Sequence, residues 1–398
     1  MKNIFYFIKE NYILARRRKI SSKIAFLIII VASISAITIV RIYYSHLVFP
    51  EPQVVKIEKK PEIKPEEWKF NPQPFTMKEL KTRGCVADGI LSDYGNDSEN
   101  STKLINRSQC VYLHRALETW AAPPDFEKAR EIMRDIDKKH IVYGMFIAEA
   151  IDKKADYYFP EEDRNFRFSD MCRGSTDNRW GEHTCIPSFN KQEYRDYLKT
   201  ITHQAMDLGI QSFLFGQIYL QDPEERNKSE IYDVMKDMRK YASSKHMQII
   251  IGAQTNNMTN QKYLDAFDYI EGGVGINNGG NIEDGPCLST KGSCWALLWH
   301  PNYASRAKNV FLHLDWSGLY YDDMSIFARM DQKTRVNTLK HLYNYFTMRD
   351  MGFMMPYLAT INKNDDGCYG PKKRFYSPDN KYSCQDENFI SDIFLGRL

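Results

Sequence analysis

The sequence predicts an α/β fold, a closed (β/α)8 barrel of the TIM type, on three observations. Short apolar segments alternate with amphipathic helical ones from residue 75 to residue 398. The apolar segments run nearly unbroken instead of alternating with polar residues, the pattern of parallel strands covered on both faces. Seven or eight such strand–helix units fit the available length, as one barrel domain requires. An open doubly wound sheet shares this alternation. No G-x-G-x-x-G follows the first strand, so nothing marks a dinucleotide site.

The expected strands are 111–117, 141–148, 212–218, 248–253, 269–276, 310–314 and 353–358. Segment 86–91, "VADGIL", supplies an eighth strand or a hairpin plugging the bottom of the barrel. One helix opens at Asp125 after Pro123 and Pro124, with Phe126, Ala129, Ile132, Met133 and Ile136 on one face. A second runs from Asn190, an N-cap candidate with Glu193 three residues on, to about Leu208, where Gly209 stops it. A third carries Ile231, Val234, Met235, Met238 and Tyr241, and a fourth Val336, Leu339, Leu342, Tyr343 and Phe346. The run "GGVGINNGG" at 272–280 falls late in the chain and reads as strand plus loop, not as a phosphate cradle.

Ahead of the barrel the composition changes. Residues 1–50 hold eight Lys/Arg against one Glu, so +7 of charge sits there and the rest of the chain carries −4 of the total +3. A mildly acidic main domain argues against a nucleic-acid partner. Residues 24–40, "IAFLIIIVASISAITIV", are uncharged between Lys23 and Arg41, and 42–44 extend the apolar run. The expectation is a transmembrane anchor at 24–44 with a basic cytoplasmic tail at 1–23. A signal peptide cleaved in "ASISA" at 32–36 is the other reading, for which the basic lead is long. Residues 45–74 form a linker, six of them proline among charges, and predict an extended stalk. The barrel domain, 75–398, is then extracytoplasmic: cell surface, periplasm or secretory lumen.

Cysteine usage agrees with export. All eight follow the anchor, in four local couples within polar loops: Cys85 with Cys110, Cys172 with Cys185, Cys287 with Cys294, and Cys368 with Cys384. An even count in an exported domain predicts these as disulfides. No C-x2-C is present and only His183 lies near a couple, so no metal is expected. No motif calls for a cofactor.

Sites of such barrels form at the C-terminal ends of the strands. In chain order the strand ends offer Glu118, Glu149, Gln217, Gln254, Asn277, Asp315 and Tyr357. His313 lies two residues before Asp315 in "LHLDW", so both share one face of the strand. The candidate catalytic acids are Glu149, Asp315 and Glu118; Asp152, Asp222, Asp322 and Asp323 read as solvated or capping loop acids. Glu271, early in its strand, reads as structural. His313, Gln217, Gln254, Asn277, Trp316 and Tyr357 are candidate substrate contacts. Uncharged amides suit sugar hydroxyls, whereas phosphates would call for Lys/Arg. Trp120, Trp180, Trp295, Trp299 and Trp316 offer flat apolar faces of the kind that meet a sugar ring, or anchor loops.

This pattern of strand ends resembles the (β/α)8-barrel glycoside hydrolases over residues 75–398. The resemblance implies hydrolysis of a cell-surface or extracellular glycan by two carboxylates. Glu149 is the expected acid, Asp315 the nucleophile or base, and Glu118 the substitute for either. The chain departs from many such enzymes where the middle strands end in Gln217 and Gln254 instead of an acid. Two other functions stay open. A short tail, short anchor, stem and disulfide-bonded domain also resemble a type II glycosyltransferase, for which the only Asp-x-Asp is Asp135-Ile-Asp137 inside a helix. A non-catalytic glycan-binding barrel is the third.

Overall fold

The computed structural model describes residues 72–120, 122–174, 180–222, 230–255, 258, 260–283, 307–316, 322–361, 367–368 and 374–398. The expected tail, anchor and most of the linker lie outside these residues. So do Cys287, Cys294, Trp295 and Trp299. No helix among the described residues is long and apolar enough to cross a membrane.

Eight parallel strands make the frame: β1 (Gly84–Ala87), β2 (Tyr112–Glu118), β3 (Val142–Ile147), β4 (Ile210–Phe215), β5 (Ile250–Ala253), β6 (Tyr269–Gly273), β7 (Val310–His313) and β8 (Gly352–Phe353 and Met355–Thr360). Each pairs with the next in order. The first half of β8 pairs with β7 and the second half with β1 (Cys85↔Met355, Val86↔Pro356). The pairing thus returns to its starting strand, and the curled parallel sheet is TIM-like. A short β9 (Phe375–Tyr376) adds antiparallel to β8. The segment at 86–91 is split: 84–87 is the first barrel strand, and Ile90–Ser92 is a 3-10 turn.

Among the described residues the helices longer than one turn are α1 (Met77–Thr82), α2 (Ser98–Arg107), α3 (Phe126–Arg134), α4 (Gln192–Leu208), α5 (Ile231–Ser244), α6 (Asp323–Ala328), α7 (Gln332–Thr347) and α8 (Glu387–Phe394). The α3 helix starts as expected, with the Asp125 carboxylate accepting from the Lys128 N–H. Gly209 ends α4 in a left-handed conformation (φ 115°). The start of α4 differs: Lys191, not Asn190, is the N-cap, and Glu193 makes no capping box. Glu193 instead accepts from the Arg164 guanidinium (2.5 and 3.1 Å) and the Arg167 N–H (2.7 Å). A charge-assisted pair on a nearly buried carboxylate outcompetes a local cap.

Three of the four expected disulfides are present, Cys85–Cys110, Cys172–Cys185 and Cys368–Cys384. The barrel interior is tightly filled at its lower layer. A Cβ at Gly252 would meet the Tyr269 ring at 2.2 Å. Gly252→Ala is therefore expected to destabilise the fold by about 1–3 kcal/mol through overpacking. Urea unfolding checks it, and an unchanged midpoint would contradict this packing.

Candidate active site

The strand ends place three acids around the mouth. Glu149 lies two residues past β3, almost wholly buried. It fits there because residue 216 is glycine: a Cβ at Gly216 would lie 2.4 Å from Glu149 Oε2 and 2.5 Å from Phe146 Cζ. Gln217, buried and at φ 29°, donates its amide Nε2–H to Glu149 Oε1, while Tyr219 donates to Gln217 Oε1 at 2.7 Å. The Gln217 N–H donates to Gln254 Oε1 at 3.2 Å. A non-glycine residue in the left-handed region is strained, and such strain concentrates at functional sites.

Asp315, two residues past β7, is half-buried beside Trp316. Burial pushes its carboxyl up from 3.8 to about 7; His313 opposes this, and Asp323, Asp322 and Glu271 add to it. The loop acids are not all solvated as expected. Asp322 caps α6, but Asp323 is buried and accepts from the N–H groups of Gly275 (3.0 Å), Ile276 (2.8 Å) and Asp315 (3.1 Å). It therefore ties the ends of β6 and β7 together. Asp222 is also buried, accepting from the Tyr263 hydroxyl at 3.0 Å.

Glu118, at the end of β2, is buried and accepts from Arg115 Nε at 2.7 Å. Burial raises its pKa well above the usual carboxylate value; Arg115 opposes this, and Asp88 both repels it and hydrogen-bonds to it. Arg115 reaches this position through a break in β2. Leu113 pairs with Tyr143 but Leu117 with Met145, so β2 bulges, and Arg115 takes φ 58°. Bulges re-aim side chains in this way. The guanidinium lies between the rings of Phe146 (3.8 Å) and Trp316 (4.3 Å). Glu118 is thus committed to holding Arg115.

The remaining sequence candidates divide. His313, Gln254 and Trp316 join the site. His313 is fully buried, with Nε2 2.5 Å from Glu271 Oε1 and its ring 4.7 Å from Trp316. Gln254 donates to Glu271 Oε2 at 2.8 Å. Asn277 does not join: it is exposed, and its Oδ1 accepts from the N–H groups of Gly279 and Asn281 in its own loop. Tyr357 is buried, and its hydroxyl feels Glu387 of α8 and Arg107 of α2, so it faces the helix layer. Asp135 and Asp137 are exposed at the end of α3, away from the strand ends.

Three residues that shape the site were missed: Arg115, Asp88 and Glu271. "YLHRALE" carried a signal, since His114 and Arg115 interrupt an apolar strand. Glu271 looked structural because β6 was drawn to residue 276. The strand stops at Gly273, where Gly275 turns at φ 78° and the following N–H groups go to Asp323. Glu271 is therefore the middle residue of β6 and faces inward.

Outside the mouth, Trp120 (42% exposed) and Trp180 (36%) contact each other at 5.7 Å, and Trp120 rests 6.3 Å from Phe146. In the ring of eight, β3 and β7 are four places apart, so Glu149 and Asp315 stand on opposite sides of the mouth.

No family model and no curated protein matches this chain. Among solved structures it is similar to a GH113 β-1,4-mannanase (TM-score 0.45, 12% identity, covering 79% of this chain and 97% of that one). It is also similar to the cyclic α-maltosyl-(1→6)-maltose hydrolase of Arthrobacter globiformis in complex with maltose (0.45, 11%, 82% and 77%). A third is α-galactosidase I of Mortierella vinacea (0.40, 11%, 80% and 72%).

Proposed function

We propose that this chain is a glycosidase whose barrel domain works outside the cytoplasm, tethered by residues 24–44, on a cell-surface or extracellular glycan. One observation carries the reading: two carboxyl groups stand on opposite sides of the barrel mouth in different environments, Asp315 holding its proton up to about 7 and Glu149 accepting an amide hydrogen bond. Separating the behaviour of two carboxyls is how a glycosidase obtains an acid and a base at one pH. These environments favour Asp315 as general acid and Glu149 as nucleophile or base, the reverse of the order expected from the sequence. Gln217 and Trp316 beside them, and the exposed Trp120 and Trp180, supply the neutral hydrogen-bonding and flat apolar surfaces a sugar meets. The three disulfides support a location outside the cytoplasm.

The test is hydrolysis of a panel of β- and α-linked oligosaccharides by the full-length chain. Asp315→Asn and Glu149→Gln are each expected to lower kcat/KM by about 10²–10⁴-fold. The wild-type rate is expected to fall as pH rises through about 7, where Asp315 loses its proton. Full activity in both variants would reject the assignment. Sugar binding that survives both substitutions, with no hydrolysis in the wild type, would instead establish a glycan-binding barrel.

A further inference from the structure

The interior of this barrel is polar where such barrels are ordinarily filled by branched aliphatic residues. Tyr112, His114, Ser212, Tyr269, Glu271 and His313 are all 0–1% exposed. Tyr269 OH lies 3.2 Å from Ser212 Oγ, Ser212 Oγ 2.8 Å from Tyr112 OH, and Tyr112 OH 2.8 Å from His114 Nδ1. His114 Nε2 then lies 3.2 Å from Glu271 Oε1. One assignment satisfies the whole chain: each hydroxyl donates to the next group, and His114, neutral, donates its Nε2–H to Glu271. The four donors of this chain therefore run toward one carboxylate.

Above that carboxylate the network forks. On one side His313 sets Nε2 against Glu271 Oε1 (2.5 Å) and Nδ1 against the Leu314 carbonyl (3.0 Å). The Leu314 carbonyl can only accept, so Nδ1 carries hydrogen, and Nε2 stands within ion-pair range of the Glu271 carboxylate, which favours the imidazolium form of His313. On the other side Gln254 donates to Glu271 Oε2 and accepts from the Gln217 N–H, and Gln217 holds Glu149. Glu149 is thereby hydrogen-bonded through Gln217 and Gln254 to the residue that pairs with His313, the positive neighbour of Asp315.

We propose that Glu271 is the positioning residue of the site: it keeps His313 charged beneath Asp315 and fixes Gln254 against Gln217, and so governs the acid on one side and the base on the other. The assignment of Asp315 as acid rests on the function proposed above; the network does not. Burial lowers the His313 pKa, but Glu271 outweighs it and the net direction is up. Burial would raise Glu271, and His313 and His114 hold it well below the usual range instead. The charged groups around Asp315 are His313 on its own strand, Glu271 from β6, Asp322 and Asp323 at the start of α6, and Arg115 from β2 stacked on Trp316.

Glu271→Gln removes one negative charge and releases the His313 proton. Asp315 then loses its nearer positive neighbour and its farther negative one, so its proton is held more tightly. The experiment compares thermal midpoints of the full chain with and without Asp315→Asn from pH 4 to 9, in the wild-type and Glu271→Gln backgrounds. The upper plateau of the Asp315→Asn difference is expected to begin near pH 7 in the first. In the second it is expected about one unit higher, a tenfold change in proton affinity. A purely space-filling role would lower both midpoints and leave the plateau in place, overturning the proposal. A wild-type measurement covers the case of a misfolded variant: nitrogen NMR should find His313 protonated at both nitrogens at pH 7, and a neutral ring would also overturn it. If no glycan is hydrolysed while the plateau moves, the glycosidase reading fails and the role of Glu271 stands.

Discussion

Asp315→Asn is expected to stabilise the protein at pH 8 while abolishing the activity proposed for it. Burial holds the Asp315 carboxyl up at about 7 against an ordinary value of 3.8, with Asp323, Asp322 and Glu271 adding repulsion. A carboxyl whose folded pKa is raised binds protons more tightly folded than unfolded. Between about 4 and 7 stability therefore falls as pH rises, and above 7 the penalty is complete. The difference between 3.8 and about 7 would correspond to about 4 kcal/mol, and solvent at the half-buried rim reduces this to about 2–3 kcal/mol. Asparagine carries no charge, so the variant escapes the penalty. Its advantage should be largest at pH 8, shrink through the window and vanish near pH 4. Calorimetry at several pH values checks this; a variant less stable than wild type at pH 8 would refute the electrostatic description of the rim. A stability gain coupled to lost activity is what a strained functional group produces.

Asp386→Ala is expected to cause the largest loss of stability, about 3–5 kcal/mol, because it leaves a buried cation without its anion. Asp386 and Arg335 are both buried. Arg335 donates to Asp386 at 2.7 and 3.1 Å, and also to the carbonyls of Met330 (2.6 Å) and Cys384 (2.9 Å). Tyr376 donates to the same carboxylate at 2.9 Å. The cluster joins α7, β9 and the start of α8, so the C-terminal segment hangs on it. The thermal midpoint should fall by roughly 10 °C, at about 2–4 °C per kcal/mol for a domain of this size. Replacing both partners together, as Arg335→Met with Asp386→Leu, should recover most of the loss, since no charge is then stranded. Denaturant unfolding of the single and double variants gives the comparison. A single variant within 0.5 kcal/mol of wild type would contradict the burial of this pair.

Much of the frame was legible because parallel barrels are written in local pattern. The seven assigned strands all exist, and the strand at 84–87 overlaps the segment proposed as the eighth. The start of α3 and the stop at Gly209 follow from proline, a capping residue and a left-handed glycine, which act within a few residues. Three cysteine couples were legible for the same reason: their partners lie within 13 to 25 residues. The errors have local competitors that lost. Asn190 was a sound cap, but Glu193 found two arginines. Asn277 sits at a strand end, but its own loop uses its carbonyl.

The site was legible as a set of positions and not as a mechanism. Strand-end periodicity singled out Glu149, Asp315, His313, Gln217 and Gln254, because the end of a buried strand is the first place a polar group can lie. Folding decided which of them act together. Side-chain direction removed Tyr357, and a bulge in β2 brought in Arg115, whose inward aim requires a positive φ that no pattern announces. Burial and the neighbouring acids raise the proton affinity of Asp315, which depends on groups that are remote in sequence. Glu271 is the plainest case. Beside Gly272 and Gly273 it is one acid in a short strand; only closure of the barrel brings His114, from 157 residues away, and His313 onto the same carboxylate. Alternation and capping are properties of neighbouring residues and survive in the sequence, whereas the charge state of a buried group belongs to the ring of strands that surrounds it.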